Sequence, residues 1–254
     1  MNDILRTIHE RRSIRSFKDK PISYEVARDL IQATLRAPTA GNMMLYSIIK
    51  VDDPELKRKL SESCDNQSFI AKAPLLLVFL ADYQRWYDFF LRSGAFELCQ
   101  QRGMELRKPD VGDMMLAVND TLIAAQTAVI AAEGLGLGTC YVGDILEKYE
   151  YHRDLLKLPK YVLPVTMLCV GYPRDDADDR APSRRFDEKF VVHSNRYYRL
   201  EGLELDVMFK GLGRSKLEEG AANFGQDVYL RKFASEFSVE MTRSVQSMID
   251  SWKA

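Results

Sequence analysis

Three guanidinium groups and two hydroxyls fall within six residues of one another in the stretch Arg11-Arg12-Ser13-Ile14-Arg15-Ser16-Phe17. In an extended backbone successive side chains alternate, so Arg11, Ser13, Arg15 and Phe17 share one face and Arg12, Ile14 and Ser16 the other. A face with two arginines and a serine suits a bound phosphate. Guanidinium offers paired N–H donors and a charge that cannot be titrated away. The same septet standing alone also makes an ordinary solvated basic turn. The phosphate assignment therefore depends on what else the chain brings near.

Three further stretches could complete such a site. Ala37-Pro38-Thr39-Ala40-Gly41-Asn42 is small, polar and open at the backbone. Pro38 forbids helical continuation, and Gly41-Asn42 tolerate positive φ. Its N–H groups and the Asn42 amide suit a polar ring or ribityl chain, although it also serves as a plain helix-to-strand connection. Gly134-Leu-Gly136-Leu-Gly138-Thr-Cys-Tyr-Val-Gly143-Asp144 is not a dinucleotide-binding fingerprint. Its third glycine comes one residue early, Thr139 stands where a glycine should be, and the order is helix then strand. It reads as a glycine loop entering a strand, Thr139 to Val142. Gly143 then brings a backbone N–H close to a ligand with no side chain in the way. The charged loop from Arg174 to Arg185 holds Pro182-Ser183-Arg184-Arg185, a solvated surface by itself or the second half of an anion clamp.

Other chemistry is poorly represented. Cys64, Cys99, Cys140 and Cys169 are far apart, and His9, His152 and His193 are isolated, so no metal site is expected. No Ser-His-Asp or paired-carboxylate constellation stands out, and no catalytic side chain is assigned. The formal net charge of −1 removes any whole-molecule attraction for nucleic acid or an anionic membrane. Asn2-Asp3 is polar with no apolar run behind it, and the uncharged run Thr121–Ala132 is too short to span a bilayer. A cytoplasmic protein with reduced cysteines, no nucleic-acid partner and no membrane partner is expected.

The positioning elements follow from periodicity and punctuation. A first helix covers 3–12, with Asp3 as cap and Ile4, Leu5 and Ile8 as its stripe. Ser23 caps a second, to about Arg36. Tyr46–Val51 is a strand, and Asp53-Pro54 starts a helix that runs to about Cys64. The unbroken apolar run Leu75–Ala81 is a central strand covered on both faces. Residues 82–112 collect Tyr83, Trp86, Tyr87, Phe89, Phe90 and Phe96 in a long insertion, suited to a lid or to packing on a partner subunit. Asp113 to Glu133 is a helix apolar on nearly all faces, which implies burial all round. A short helix at 146–157 and a buried strand Pro164–Gly171 follow. The charged tail 195–254 reads as an arm or cap.

The four motifs, in this order, resemble the FMN-dependent nitroreductase family, the oxygen-insensitive NAD(P)H enzymes of bacterial cytoplasm. The resemblance covers roughly residues 1–195. It implies an α+β fold, a mainly antiparallel sheet flanked by helices, in an intertwined homodimer with an FMN at each of two interface sites. Residues 1–195 would be the FMN-binding domain and 196–254 a C-terminal helical extension packing on the dimer. Carried over by position, Arg11, Arg12, Ser13 and Arg15 look like phosphate- and ribityl-binding residues. Ser183 and Arg185 look like the second arm of the clamp. Ser183 departs from the lysine common in the family, and Arg184 competes with Arg185 for the contact. Pro38, Thr39, Ala40 and Asn42 look like the loop given by the other subunit. Gln67 looks like the hydrogen-bonding partner of the isoalloxazine edge, and Tyr141, Val142 and Gly143 like the stretch along the flavin.

The implied activity is two-electron transfer from NADPH or NADH through FMN to a small acceptor such as a nitroaromatic or quinone, in a ping-pong cycle. The cofactor carries the chemistry, and the cationic donors stabilise its anionic reduced form. Other reactions on the same scaffold are alternatives: dehalogenation, flavin reduction or destruction, or dehydrogenation of a peptide heterocycle. So are a flavin-storing or sensing protein without turnover, and a basic-turn interaction module without cofactor.

Overall fold

The computed structural model describes residues 2–174, 183–213 and 216–254. They form two compact units, Met1–Arg180 with Glu240–Ala254, and Ala181–Val239. The first unit contains, in order, α1 (Asp3–Glu10), α2 (Tyr24–Thr34), β1 (Tyr46–Val51), α3 (Pro54–Ser63), α4 (Ser68–Lys72), β2 (Leu75–Asp82), α5 (Gln84–Arg92), α6 (Ala95–Gln101), α7 (Val111–Gly134), β3 (Gly138–Val142), α8 (Tyr149–Leu156) and β4 (Val162–Gly171). The second carries α9 (Leu203–Phe209) and α10 (Phe224–Val228). α11 (Glu236–Lys253) crosses the boundary, and its residues from Glu240 onward belong to the first unit.

The fold is α+β, as expected. Its strands form one antiparallel sheet in the order β1-β2-β4-β3. The central strands β2 and β4 are buried at every position, because both faces are covered. Alternation divides β2 between two cores. Leu75, Leu77 and Phe79 pack with Leu30 of α2 and the alanines of α7. Leu76, Val78 and Leu80 pack with Leu60 and Cys64 beside α3, and with Ile70 of α4.

Local signals set most boundaries. Ser23 accepts the Val26 N–H at 3.3 Å, and Asp53 accepts the Glu55 N–H at 3.0 Å with Pro54 at the first helical position. α1 is capped by Asn2, whose Oδ1 accepts the Leu5 N–H at 2.9 Å, and not by Asp3. An Asp at the first helical position can still favour the positive helix end, but only the preceding residue has the extended backbone that a cap needs. The aromatic insertion resolves into two short helices, α5 and α6.

Within one chain α7 is buried on one side only. Ala117, Ala124, Ala125, Ala128, Val129 and Ala132 are fully covered by the chain's own sheet and neighbouring helices. Met115, Leu116, Leu122 and Ile123 are between 41% and 52% exposed. Their spacing makes a second apolar stripe that one chain cannot cover. α7 is long and apolar enough to cross a bilayer, yet nearly half of it is packed inside, as in a core helix.

The tail also divides differently from the expected boundary at 195. Ser244, Met248 and Trp252 recur every fourth residue on α11 and are buried in the first unit. α8 has no side-chain cap of its own, and Lys148 before it is left-handed at φ 50°. α11 supplies the missing acceptors: Glu240 Oε1 takes the Lys148 N–H at 3.1 Å and Ser244 Oγ the Tyr149 N–H at 2.9 Å. The end of the chain therefore completes the core.

Candidate functional site

The arginine septet is laid against the free edge of β3. Ser13 bridges Thr139 in parallel, and the Ile14 N–H donates to the Thr139 carbonyl at 2.8 Å. Phe17 bridges Pro173, and the Lys18 N–H donates to the Tyr172 carbonyl at 2.8 Å. Ser13 and Arg15 are exposed while Ile14 is buried, as alternation requires. Phe17 departs from the expected face: its ring turns in over Gly171.

Two glycines make this docking possible. Gly138 and Gly171 are paired across β3 and β4. A Cβ on Gly138 would lie 2.6 Å from Ile14 Cγ1, and one on Gly171 would lie 2.7 Å from Phe17 Cδ1. Any side chain at either position would push the septet off the sheet. Gly143 is different, since a Cβ there would meet nothing within 4 Å.

The docked septet concentrates positive charge on one edge. Arg11 and Arg15 both act on the Cys140 thiol, pulling down a pKa that burial pushes up further. Arg11 likewise opposes the burial that pushes the Tyr141 phenol up to about 12. Arg15 Cζ stands 6.0 Å from the centre of the Phe69 ring. Among the described residues neither Arg11 nor Arg15 forms an ion pair with a carboxylate. Two guanidinium groups that act on one thiol and pair with no carboxylate favour an anion on this edge.

The Pro38–Asn42 loop has an unusual backbone. Gly41, Asn42 and Met44 all sit at positive φ, between 50° and 56°. Pro38 and Asn42 are exposed, Thr39 and Ala40 half-buried. Two helices grip this loop. Buried Asp120 of α7 accepts the Ala40 N–H at 2.9 Å and the Leu45 N–H at 3.1 Å. From α5, Trp86 Nε1 donates to the Met43 carbonyl at 2.7 Å, and Arg85 to the Met44 and Tyr46 carbonyls at 2.8 and 2.6 Å. Burial, then the Asp120 charge, push the neighbouring Tyr46 phenol up.

Gln67 follows two left-handed residues, Asp65 and Asn66, and its Nε2 donates to the Cys64 carbonyl at 3.0 Å. Tyr141 Oη bonds Gln126 at 3.3 Å, and Val142 is buried. Ser183 and Arg185 belong to the second unit, where Arg185 Nη1 donates to the Ser183 carbonyl at 3.0 Å. Arg184 Nη1 there reaches the Lys210 carbonyl at 3.1 Å. Residues 175–182 of that charged loop, Pro182 included, lie outside the described residues.

The sequence pattern of the Nitroreductase family matches residues 8–172, which span the septet, the 38–42 loop and β3. The chain belongs to the nitroreductase family. It is 34% identical over 197 residues to the FMN reductase [NAD(P)H] of Bacillus subtilis, covering 78% of this chain and 75% of that protein. It is 35% identical over 191 residues to the oxygen-insensitive NADPH nitroreductase of Salmonella typhimurium, covering 75% and 72%. The structure of the NADPH:FMN oxidoreductase of Vibrio harveyi complexed with NAD+ superposes with a TM-score of 0.76 at 27% identity, covering 98% of each chain.

For this nitroreductase-family chain, Phe69, Arg85, Trp86, Asp120, Gly138 and Gly171 are the site neighbours that motif reading did not single out. Gly138 lay in the glycine stretch, Arg85 and Trp86 in the aromatic insertion, and Asp120 and Gly171 in a helix and a strand, none of them read for a role in the site. They act through long-range contacts that no local pattern records.

Proposed function

We propose that this protein is an FMN-dependent NAD(P)H oxidoreductase that passes two electrons to small acceptors such as nitroaromatics or quinones in a ping-pong order. The uncompensated Arg11–Arg15 pair on the glycine-cleared edge of β3 carries this reading. The residues fit the cofactor: a dianion would meet guanidinium groups, and the open backbone at Gly143 would leave a flat ring unobstructed by a side chain there. Arg11, Arg12, Ser13 and Arg15 would hold the phosphate and ribityl chain. Gln67 would bond the ring edge, and Tyr141, Val142 and Gly143, whose backbone has no neighbour within 4 Å of a Cβ position, would line its face. Bound FMN supplies the two-electron relay between nicotinamide and acceptor. The chain's own part is to bind, orient and stabilise negative charge with fixed cations. No side chain is assigned as acid, and solvent supplies protons.

We further propose a homodimer in which Pro38, Thr39, Ala40 and Asn42 complete the partner's site. The open stripe Met115, Leu116, Leu122 and Ile123 on α7 supports it, together with exposed Ile4, Leu5 and Ile8 on α1. An extension beyond residue 195 would then cover the partner, and a cytoplasmic location suits the reduced cysteines.

The visible spectrum of the purified protein with FMN, before and after anaerobic NADPH or NADH, tests the reading. A bound flavin spectrum bleached by either nucleotide is expected. A protein that stays colourless after FMN is added, or a flavin that neither nucleotide bleaches, would overturn it. Parallel double-reciprocal plots with a quinone acceptor test the ping-pong order.

A further inference from the structure

The loop at residues 38–46 carries more strain than a helix-to-strand connection needs. Three of its residues are left-handed, and two of them, Asn42 and Met44, are not glycine. Such a conformation persists only where the surroundings impose it. The imposing groups are identifiable. On one side a single buried carboxylate, Asp120, 2% exposed, accepts the N–H of Ala40 with one oxygen and of Leu45 with the other. On the other side Trp86 and Arg85 donate to the Met43, Met44 and Tyr46 carbonyls. Thr39 Oγ1 closes the loop on itself by accepting the Met44 N–H at 3.1 Å. The contacts from α7 thus take N–H groups of the loop, and those from α5 take its carbonyls.

We propose that Asp120 is a positioning residue of the flavin site: it holds the Pro38–Asn42 loop in its binding shape through the Ala40 and Leu45 amides. The role rests on the flavin assignment above. Only a carboxylate at this place can accept both N–H groups. An amide has one acceptor oxygen, and its NH2 would face a backbone donor. A free loop would relax its left-handed residues, and a flavin would then have to order it again on binding. Asp120 sits midway along α7, between the apolar residues Leu116 and Leu122 of the open stripe. The helix proposed to join the subunits therefore also sets the loop.

The test titrates apoprotein with FMN and with riboflavin, well below the melting temperature, in wild type, Asp120→Asn, Asp120→Ala and Arg15→Ala. Asp120→Ala should weaken both flavins by a similar factor, about tenfold or more, because the loop faces the ring and ribityl part that both share. Asp120→Asn should lose less, and serves alone if the alanine variant does not fold. Arg15→Ala should weaken FMN much more than riboflavin. Hydrogen exchange should show the Ala40 and Leu45 amides protected in wild-type apoprotein and faster in Asp120→Asn. Folded Asp120 variants that bind both flavins as wild type does, or unchanged exchange at both amides, would overturn the role. A wild-type protein that takes up neither flavin would defeat the site assignment itself, and this role with it, whatever the amides do.

Discussion

Gly138 and Gly143 stand five residues apart, yet alanine should act on them in opposite ways. At Gly138 the new Cβ would lie 2.6 Å from Ile14 Cγ1, 2.8 Å from Ile14 Cβ and 3.0 Å from Pro173 Cγ. Carbon pairs settle near 3.5–4.0 Å, so Ile14 must retreat by roughly 1 Å. Rotating its side chain gives no relief, because its own Cβ is in the way. The Ile14 N–H is bonded to the Thr139 carbonyl at 2.8 Å, so the retreat breaks that bond and carries Ser13 and Arg15 outward. Overpacking of this kind costs about 1–3 kcal/mol. If the strain is released by undocking the septet, FMN binding must repair it, and the affinity falls about 5- to 150-fold. Fluorescence titration of apoprotein with FMN measures this, with thermal unfolding beside it. A Gly138→Ala protein that binds FMN within about twofold of wild type and melts at the same temperature would show that the septet does not need this edge.

Gly143 supplies the contrast. Its φ of −85° suits any residue, and the added methyl group meets no neighbour. Gly143→Ala should therefore stabilise the apoprotein by about 0.4–1 kcal/mol, since it restricts the unfolded chain. The same methyl group would occupy the space proposed for the flavin, so FMN should bind more weakly. A variant both more stable and undiminished in FMN affinity would remove Gly143 from the site.

Three other outcomes are expected. Arg15→Ala removes a charge-assisted phosphate partner and should weaken FMN by about 2 kcal/mol, roughly thirtyfold; unchanged flavin occupancy after dialysis would contradict this. Leu122→Glu places a charge in the open stripe of α7 and should shift light scattering from dimer to monomer or aggregate, whereas an intact dimer would place the interface elsewhere. His152 is fully buried, with Nδ1 2.7 Å from the Glu147 carbonyl and Nε2 2.8 Å from Ser63 Oγ, and burial holds its pKa below the ordinary imidazole value. Below about pH 6.5 the unfolded chain takes up a proton that the folded one refuses, so stability should fall with pH by up to about 1.4 kcal/mol per unit until the folded pKa is reached. Urea unfolding between pH 7.5 and 5 checks this, and His152→Gln should flatten the dependence.

Most of the framework was legible because it is written in local chemistry. Pro54 after Asp53, Ser23 before an apolar stripe, and the unbroken run Leu75–Ala81 each state an element within a few residues. The misreadings lie where a local rule is true but incomplete. The composition of α7 says that its apolar residues must be covered. It does not say by what, and among the described residues Leu122 and Ile123 stay 45% and 41% exposed. The alternation rule places Ser13 and Arg15 correctly, then fails at Phe17, where the septet leaves β3 and the ring finds Gly171.

The glycines make the same point for the site. Sequence reading valued Gly143 for its open N–H and passed over Gly138 as part of a loop, because both are simply residues without side chains. What distinguishes them is the neighbour. Gly138 is small because Ile14, more than 120 positions earlier, lies in its Cβ position, and Gly143 has open space. Asp120 was hidden for the same reason: within its helix it is one of three adjacent polar residues, Asn119-Asp120-Thr121, and its partners are 75 and 80 residues away. Residues that would touch a ligand carry chemistry that a motif can display. Residues that hold those in place are defined by pairs, and a pair becomes visible only when the chain has folded.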